Sequence, residues 1–249
     1  MKHNKNRRPL KIPGLLQMLP DIVFPRRCPF CDGVLVFGSK EPCESCRSKL
    51  QYVGNDFCLK CGKPLADPGA EFCTACKRSA RPFDWGRSLF IYDDLLKHSL
   101  SSLKYDNKRE YAWYFGTELV RHFAKSMKQT HFDAIVPVPV SRERLRKRGY
   151  NQAKLIADRV SYLTGIPLRD DILIREKTTV AQKELGRIAR QKNLKKAFKI
   201  AGNVVELETI MVIDDIYTTG ATISEIARVL KEAGVKKVCF FTIATGSAI

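Results

Sequence analysis

Apolar positions along the chain change character at Arg81-Pro82. Beyond that point, strand-length apolar runs alternate with stretches at helical spacing. Strands are predicted near 88–92, 134–140, 171–174, 209–213 and 237–243, the second stopped by its own prolines. Helical spacing runs from Asp94 through Leu103, from Glu110 to Ser126 and from about Thr222 to Ala233, where Ala233-Gly234 is the stop signal before Val235 to Phe241 closes the sheet. Such alternation predicts an α/β fold, a mainly parallel sheet flanked by helices, with ligands at the strands' carboxyl ends. The expected division is a basic N-terminal segment at 1–25, a cysteine module at 26–81 and the α/β domain at 82–249.

The first segment begins with Lys2, Lys5, Arg7, Arg8 and Lys11, followed by an apolar stretch from Ile12 to Phe24. Pro13, Gly14, Pro20 and Asp21 interrupt it and no A-x-A-like site follows, so it does not read as a signal peptide. Leu15, Leu16, Leu19 and Ile22/Val23 recur at helical spacing and predict a short helix that docks on its own protein, a membrane-surface helix being the alternative. No segment approaches the roughly 18 apolar residues of a membrane span, and the chain reads as cytoplasmic.

Eight of the nine cysteines fall in Cys28-x-x-Cys31, Cys43-x-x-Cys46, Cys58-x-x-Cys61 and Cys73-x-x-Cys76, each pair starting fifteen positions after the last. Two such knuckles complete a tetrahedral thiolate shell, so two structural Zn²⁺ sites are expected, with pairing either sequential or alternate. Disulfides need an oxidising compartment and redox pairs a thioredoxin-like context, and the sequence shows neither. Phe30, Gly33, Phe57, Gly62 and Phe72 suit short hairpins with little core, leaving the metal to supply folding energy. Cys239, in Val238-Cys239-Phe240-Phe241, is expected to be a buried strand thiol.

The chemistry concentrates after Ile210–Ile213, where Asp214 and Asp215 lead through Ile216-Tyr217-Thr218-Thr219-Gly220-Ala221-Thr222 into a helix. Free backbone N–H groups of such a turn converge on an anion, threonine hydroxyls add donors, and Gly220 admits close approach. The aspartates suit vicinal hydroxyls or a hydrated cation. Phosphate beside a diol means a sugar phosphate. A Walker B strand also ends in acids, but no G-x-x-x-x-G-K-[ST] occurs here.

A second anion loop follows Val138-Pro139-Val140: Ser141 to Gln152 carries Arg142, Arg144, Arg146, Lys147 and Arg148 before Gly149. In a parallel sheet it opens on the same edge as the aspartate loop. The formal charge of +18 on 249 residues favours polyanionic partners, and both halves of the chain are basic.

The segment V-I-D-D-I-Y-T-T-G-A-T resembles the phosphoribosyl-pyrophosphate (PRPP) loop of type I phosphoribosyltransferases. Zinc knuckles, then P-V-P and R-G-Y-N-Q-A, then Thr179, Gln182, Leu185, Arg190 and Asn193, the last two on a helix from Lys183 to Lys195, then the acid loop, together resemble the ComF family from Leu15 to Ala244. That resemblance implies a type I phosphoribosyltransferase-like domain behind a double zinc ribbon. It also implies association with uptake of transforming single-stranded DNA beside a ComFA-like helicase at the inner membrane face.

By similarity, Asp214 and Asp215 hold the ribose hydroxyls with Mg²⁺, and Thr218, Thr219, Gly220, Ala221 and Thr222 hold the 5′-phosphate. Ser141, Arg148 and Gly149 meet the pyrophosphate, and Lys104 adds a cation. The family's glycine after Lys104-Tyr105 is here Asp106-Asn107. Catalysis would rest on Asp214, Asp215 and Arg148, with the acceptor unread. The alternative is a non-catalytic adaptor for single-stranded DNA and a protein partner, in which Tyr105 and Tyr150 stack bases.

Overall fold

The computed structural model describes residues 25–176 and 197–247. The expected N-terminal helix and the helix carrying Arg190 and Asn193 lie outside these residues. The chain forms two compact units, Met1–Lys49 and Leu50–Ile249.

In the smaller unit, Arg27 and Val34 bridge antiparallel around the first knuckle, and the Cys28 N–H donates to Gly33 O at 2.8 Å. A one-turn helix α1, Glu44–Arg47, follows Cys43. The larger unit repeats this design. Phe57 bridges Pro64, the Cys58 N–H donates to Lys63 O at 2.7 Å, and α2, Thr74–Arg78, follows Cys73.

The larger unit is built on a four-stranded sheet of β1 (Trp85–Ile91), β2 (Ala134–Pro137), β5 (Thr209–Tyr217) and β6 (Lys237–Thr245), in the order β1-β6-β5-β2. Every pairing is parallel. All strand carboxyl ends therefore open on one edge. β5 and β6 are covered on both faces and read as near-continuous apolar runs, as buried parallel strands must. The sheet thus has the expected mainly parallel α/β character, and β6, expected to close it, lies inside it between β1 and β5. Cys239 on β6 is fully buried.

Helices flank the sheet. α3, Asp94–Tyr105, starts where Asp93 Oδ1 accepts from the Leu96 N–H at 2.8 Å, and buries Leu96, Leu100 and Leu103. α4, Tyr111–Thr130, packs on α6, Gln152–Thr164, at Gly116, where a Cβ would come within 2.7 Å of Arg159 Cβ. α7, Ala221–Glu232, buries Ile223, Ile226, Ala227 and Leu230.

Three expectations need correction. The strand near 171–174 does not join the sheet: β3, Leu173–Arg175, pairs antiparallel with β4, Phe198–Ile200, in a separate ribbon. The β2 edge is already met by the preceding residues, since the Ile135 N–H donates to Pro167 O and the Arg169 N–H to Ile135 O, and the chain leaves at Asp170-Asp171. The second strand ends at Pro137 instead of reaching residue 140. The basic loop is a helix, α5, Arg142–Arg148, because Ser141 Oγ caps it by accepting from the Arg144 N–H and Gly149, at φ 76°, ends it with no breaker between.

Candidate functional site

The acid pair lies at the carboxyl end of β5, the strand continuing through it to Tyr217. Both aspartates are buried, and Asp214 Oδ1 accepts from the Asp215 N–H at 2.9 Å. Two adjacent buried carboxylates cannot both carry charge cheaply. Burial first, and the neighbouring Asp215 second, push Asp214 well above the ordinary carboxylate range. Burial acts on Asp215 in the same sense, but the ion pair with Lys104 and further hydrogen bonds outweigh it and bring that carboxyl down. The buried pair thus resists carrying two charges at once, and the Lys104 ammonium faces Asp215.

Lys104 therefore reaches the site despite the departure in the residues after it. It is in the last turn of α3, next to Tyr105, whose hydroxyl accepts from Arg148 Nη2 at 3.2 Å and whose ring lies 4.9 Å from the Arg148 guanidinium. Arg148 Nη1 also donates to Gln152 Oε1 at 2.9 Å. Tyr150 ties the same segments together, its hydroxyl donating to Leu103 O at 2.5 Å, and Arg109 lies 4.5 Å over its ring. Gly149 brings the chain past Arg109, where a Cβ would lie 3.3 Å from Nη2. Lys104, Arg148 and Gly149 thus gather at one end of the acid pair. Ser141 spends its hydroxyl on capping α5.

At the other end, Thr218 and Thr219 are exposed and Gly220, at φ 76°, is buried as the N-cap of α7. Only glycine takes this φ without strain. The first turn of α7 carries no acidic side chain, so the N–H groups of Ala221 and Thr222 stand in a field suited to an anion.

One cation was missed in the sequence. Arg175, closing β3, is half-buried, its guanidinium lowered first by desolvation and then by Arg144, with the Asp214 carboxyl acting in the opposite sense. It borders a cavity of 370 Å³ with Arg142, Ile174 and Glu176. A lone arginine ending the apolar run Ile172-Leu173-Ile174 was the available signal.

The cysteines form two tetrads with sequential pairing: Cys28, Cys31, Cys43 and Cys46, and Cys58, Cys61, Cys73 and Cys76, the sulfurs of each within 4.8 Å of one another. Cys31 and Cys43 Sγ lie 3.7 Å apart, as do Cys61 and Cys73 Sγ. These distances are too long for disulfides and match the roughly 3.8 Å edge of a tetrahedron with Zn–S bonds of about 2.3 Å. The donor sets fit Zn²⁺, with no open position left for metal chemistry.

Residues 19–77 match the family model of a double zinc ribbon domain. Competence protein F of Haemophilus influenzae is 37% identical over 120 residues, 46% of this chain and 52% of that protein. Competence protein ComFC of Bacillus subtilis is 34% identical over 148 residues, 59% of this chain and 58% of that protein. The chain thus spans little more than half the length of these two relatives. DNA utilization protein YhgH of Salmonella typhi is 30% identical over 166 residues, 64% of this chain and 71% of that protein. Among solved structures, a purine phosphoribosyltransferase from Pyrococcus horikoshii Ot3 is similar at TM-score 0.35 and 16% identity, over 53% of this chain and 83% of that one. A likeness of that degree says nothing of activity.

Fold and cysteine tetrads define a double zinc-ribbon protein with a parallel α/β unit. The chain belongs to the ComF family, whose members include the competence and DNA utilization proteins just named. No helix among the described residues is long and apolar enough to cross a membrane.

Proposed function

We propose that this protein works in DNA uptake and transformation as a ComFC-like member of its family, and that its α/β unit binds PRPP with Mg²⁺ and transfers ribose 5-phosphate to an acceptor. The observation that carries this reading is the buried Asp214–Asp215 pair, held by Lys104 and followed by a phosphate-type loop. Asp214 and Asp215 would accept from the ribose hydroxyls, and Thr218 to Thr222 would donate to the 5′-phosphate. Lys104 and Arg148 would meet the pyrophosphate, with Ser141 and Gly149 on the adjoining segment. The two carboxylates, acceptor-only when ionised, would suit a hydrated hard cation such as Mg²⁺. Mg²⁺, when bound with PRPP, supplies charge neutralisation of the leaving pyrophosphate.

In the transfer, the C1′–O bond to pyrophosphate breaks with its electron pair leaving on oxygen, and the acceptor's lone pair forms the new bond at C1′. The cationic end of the site stabilises the departing charge. Continuous pyrophosphate release from Mg-PRPP by the zinc-loaded protein in the presence of an acceptor nucleophile, lost in Arg148→Ala, is the expected result. Binding without release, whatever acceptor is offered, would contradict turnover.

The second reading, a non-catalytic adaptor, is favoured by the exposed basic face of α5 and the net charge of +18. It predicts single-stranded DNA binding that weakens steeply with salt, through counterion release, whether or not PRPP is present. A ComFA-like helicase at the inner membrane face is the protein partner that both readings share.

A further inference from the structure

Between the acid pair and the threonines stands Tyr217, a large aromatic residue that phosphate binding does not require. It is 3% exposed. Its ring stacks on Phe240 with centroids 4.8 Å apart, meets Phe83 edge-on at 6.3 Å, and lies 5.9 Å from the Lys63 ammonium. Lys63 is two residues past Cys61, and its carbonyl accepts from the Cys58 N–H. Cys58, Cys61, Phe83, Tyr217 and Phe240 all belong to one buried cluster. The charged neighbours of the phenol are Cys61, Arg81 and Cys76.

On its other side Tyr217 meets the phosphate loop. A Cβ added at Gly220 would run into the phenol, coming within 2.7 Å of Cζ. Gly220 is thus excluded from every other identity twice, by its φ of 76° and by the ring beneath it. The phosphate loop rests on Tyr217, and Tyr217 rests on the second cysteine tetrad. The knuckle is also fixed to the sheet: the Gly86 N–H donates to Lys60 O at 2.9 Å, and Arg87 Nη1 donates to Leu59 O at 3.2 Å.

We infer that Tyr217 is a positioning residue that sets the phosphate loop on the second tetrad, so that metal occupancy of Cys58, Cys61, Cys73 and Cys76 and anion binding at the loop are linked. The inference rests on the proposed PRPP site for its ligand, but its structural half does not. Linkage is reciprocal: if metal in this tetrad strengthens ligand binding, ligand must retain that metal by the same factor.

The test follows zinc release from the full-length, zinc-loaded protein to a chromogenic chelator, with and without Mg-PRPP. Two release phases are expected. Saturating Mg-PRPP should slow one of them about five-fold and leave the other alone, the lower end of ordinary coupling. Tyr217→Phe, which keeps the ring stack and removes only the hydroxyl, should speed that same phase without ligand and weaken Mg-PRPP binding by a similar factor. Gly220→Ala should do the same more strongly; where it fails to fold, Tyr217→Phe carries the test.

If the wild type does not bind Mg-PRPP, the transferase reading fails, and the linkage is decided by the ligand-free release of the two variants. Faster loss of one zinc ion in them supports it. Release unchanged in both variants overturns it, as does tight Mg-PRPP binding that alters neither phase.

Discussion

The two cysteine tetrads come from one repeat, with the same knuckles, the same fifteen-residue step and the same 3.7 Å sulfur spacing, yet their surroundings differ. In the described part of the smaller unit, the buried residues are Cys28, Pro29, Phe30, Pro42 and Cys46, all at or beside the knuckles. Cys58 and Cys61 instead share a buried cluster with Phe83, Tyr217 and Phe240 of the α/β core. A repeated motif therefore need not do repeated work. Among the described residues, the buried side chains around the first tetrad belong to its own turns, and the second tetrad is part of the foundation of the candidate site.

Removing ligands in pairs is the sharpest way to break this comparison. Cys58→Ser/Cys61→Ser should lose one zinc ion and the cooperative unfolding of the α/β unit, since a structural zinc site contributes on the order of 10 kcal/mol. Cys28→Ser/Cys31→Ser should lose one zinc ion and leave that transition in place. Metal content and thermal unfolding by circular dichroism distinguish the two. Equal loss of the α/β transition in both variants would show the tetrads to be equivalent.

Aromatic truncations repeat the contrast at smaller scale. Phe240→Ala empties a site packed by Gly86, Phe83 and Tyr217 and should cost about 3–5 kcal/mol in denaturant unfolding. Phe37→Ala in the smaller unit, where the side chain is 52% exposed, should change stability by no more than about 0.5 kcal/mol.

Helix starts give the next step down. Asp93→Ala removes the cap of α3 and should cost about 1 kcal/mol by urea unfolding. α1 and α2 have no such cap to lose, because Cys43 and Cys73, members of the two tetrads, hold their N-cap positions without a side-chain cap bond.

The acid pair gives an effect whose sign is fixed. Asp214 is raised in the folded state, so between the ordinary value of 3.8 and its folded value the native state binds more protons than the unfolded state. Stability therefore falls as pH rises through that window. In Asp214→Asn that contribution to the slope disappears, and the urea midpoint above the window should exceed the wild type's. An unaltered pH slope would refute the upward shift of Asp214.

The sequence announced the zinc sets and the acid loop because both use residue types with few alternative reasons to recur at such spacing. Strand and helix order was equally legible, since buried parallel strands must be apolar throughout. Local pattern could not say where the 171–174 run pairs, because Ile172-Leu173-Ile174 is apolar in a sheet or a ribbon alike, and the competing partners are Pro167 to Arg169 and Phe198 to Ile200. Nor could it separate a basic loop from a basic helix between Ser141 and Gly149, where capping decided. Lys104 and Arg175 are isolated cations whose importance comes from what lies opposite them in space. Knuckle spacing alone left the tetrad pairing open, and no local signal placed Tyr217 on the second one.

The central claim, that the acid pair and its loop form a PRPP site, is tested most directly by calorimetric titration of Mg-PRPP into the zinc-loaded protein beside Asp214→Asn/Asp215→Asn, with the fold of the variant checked. The account predicts saturable binding by the wild type and none by the folded variant. No heat of binding in the folded, zinc-loaded wild type, or equal binding by both proteins, would contradict it.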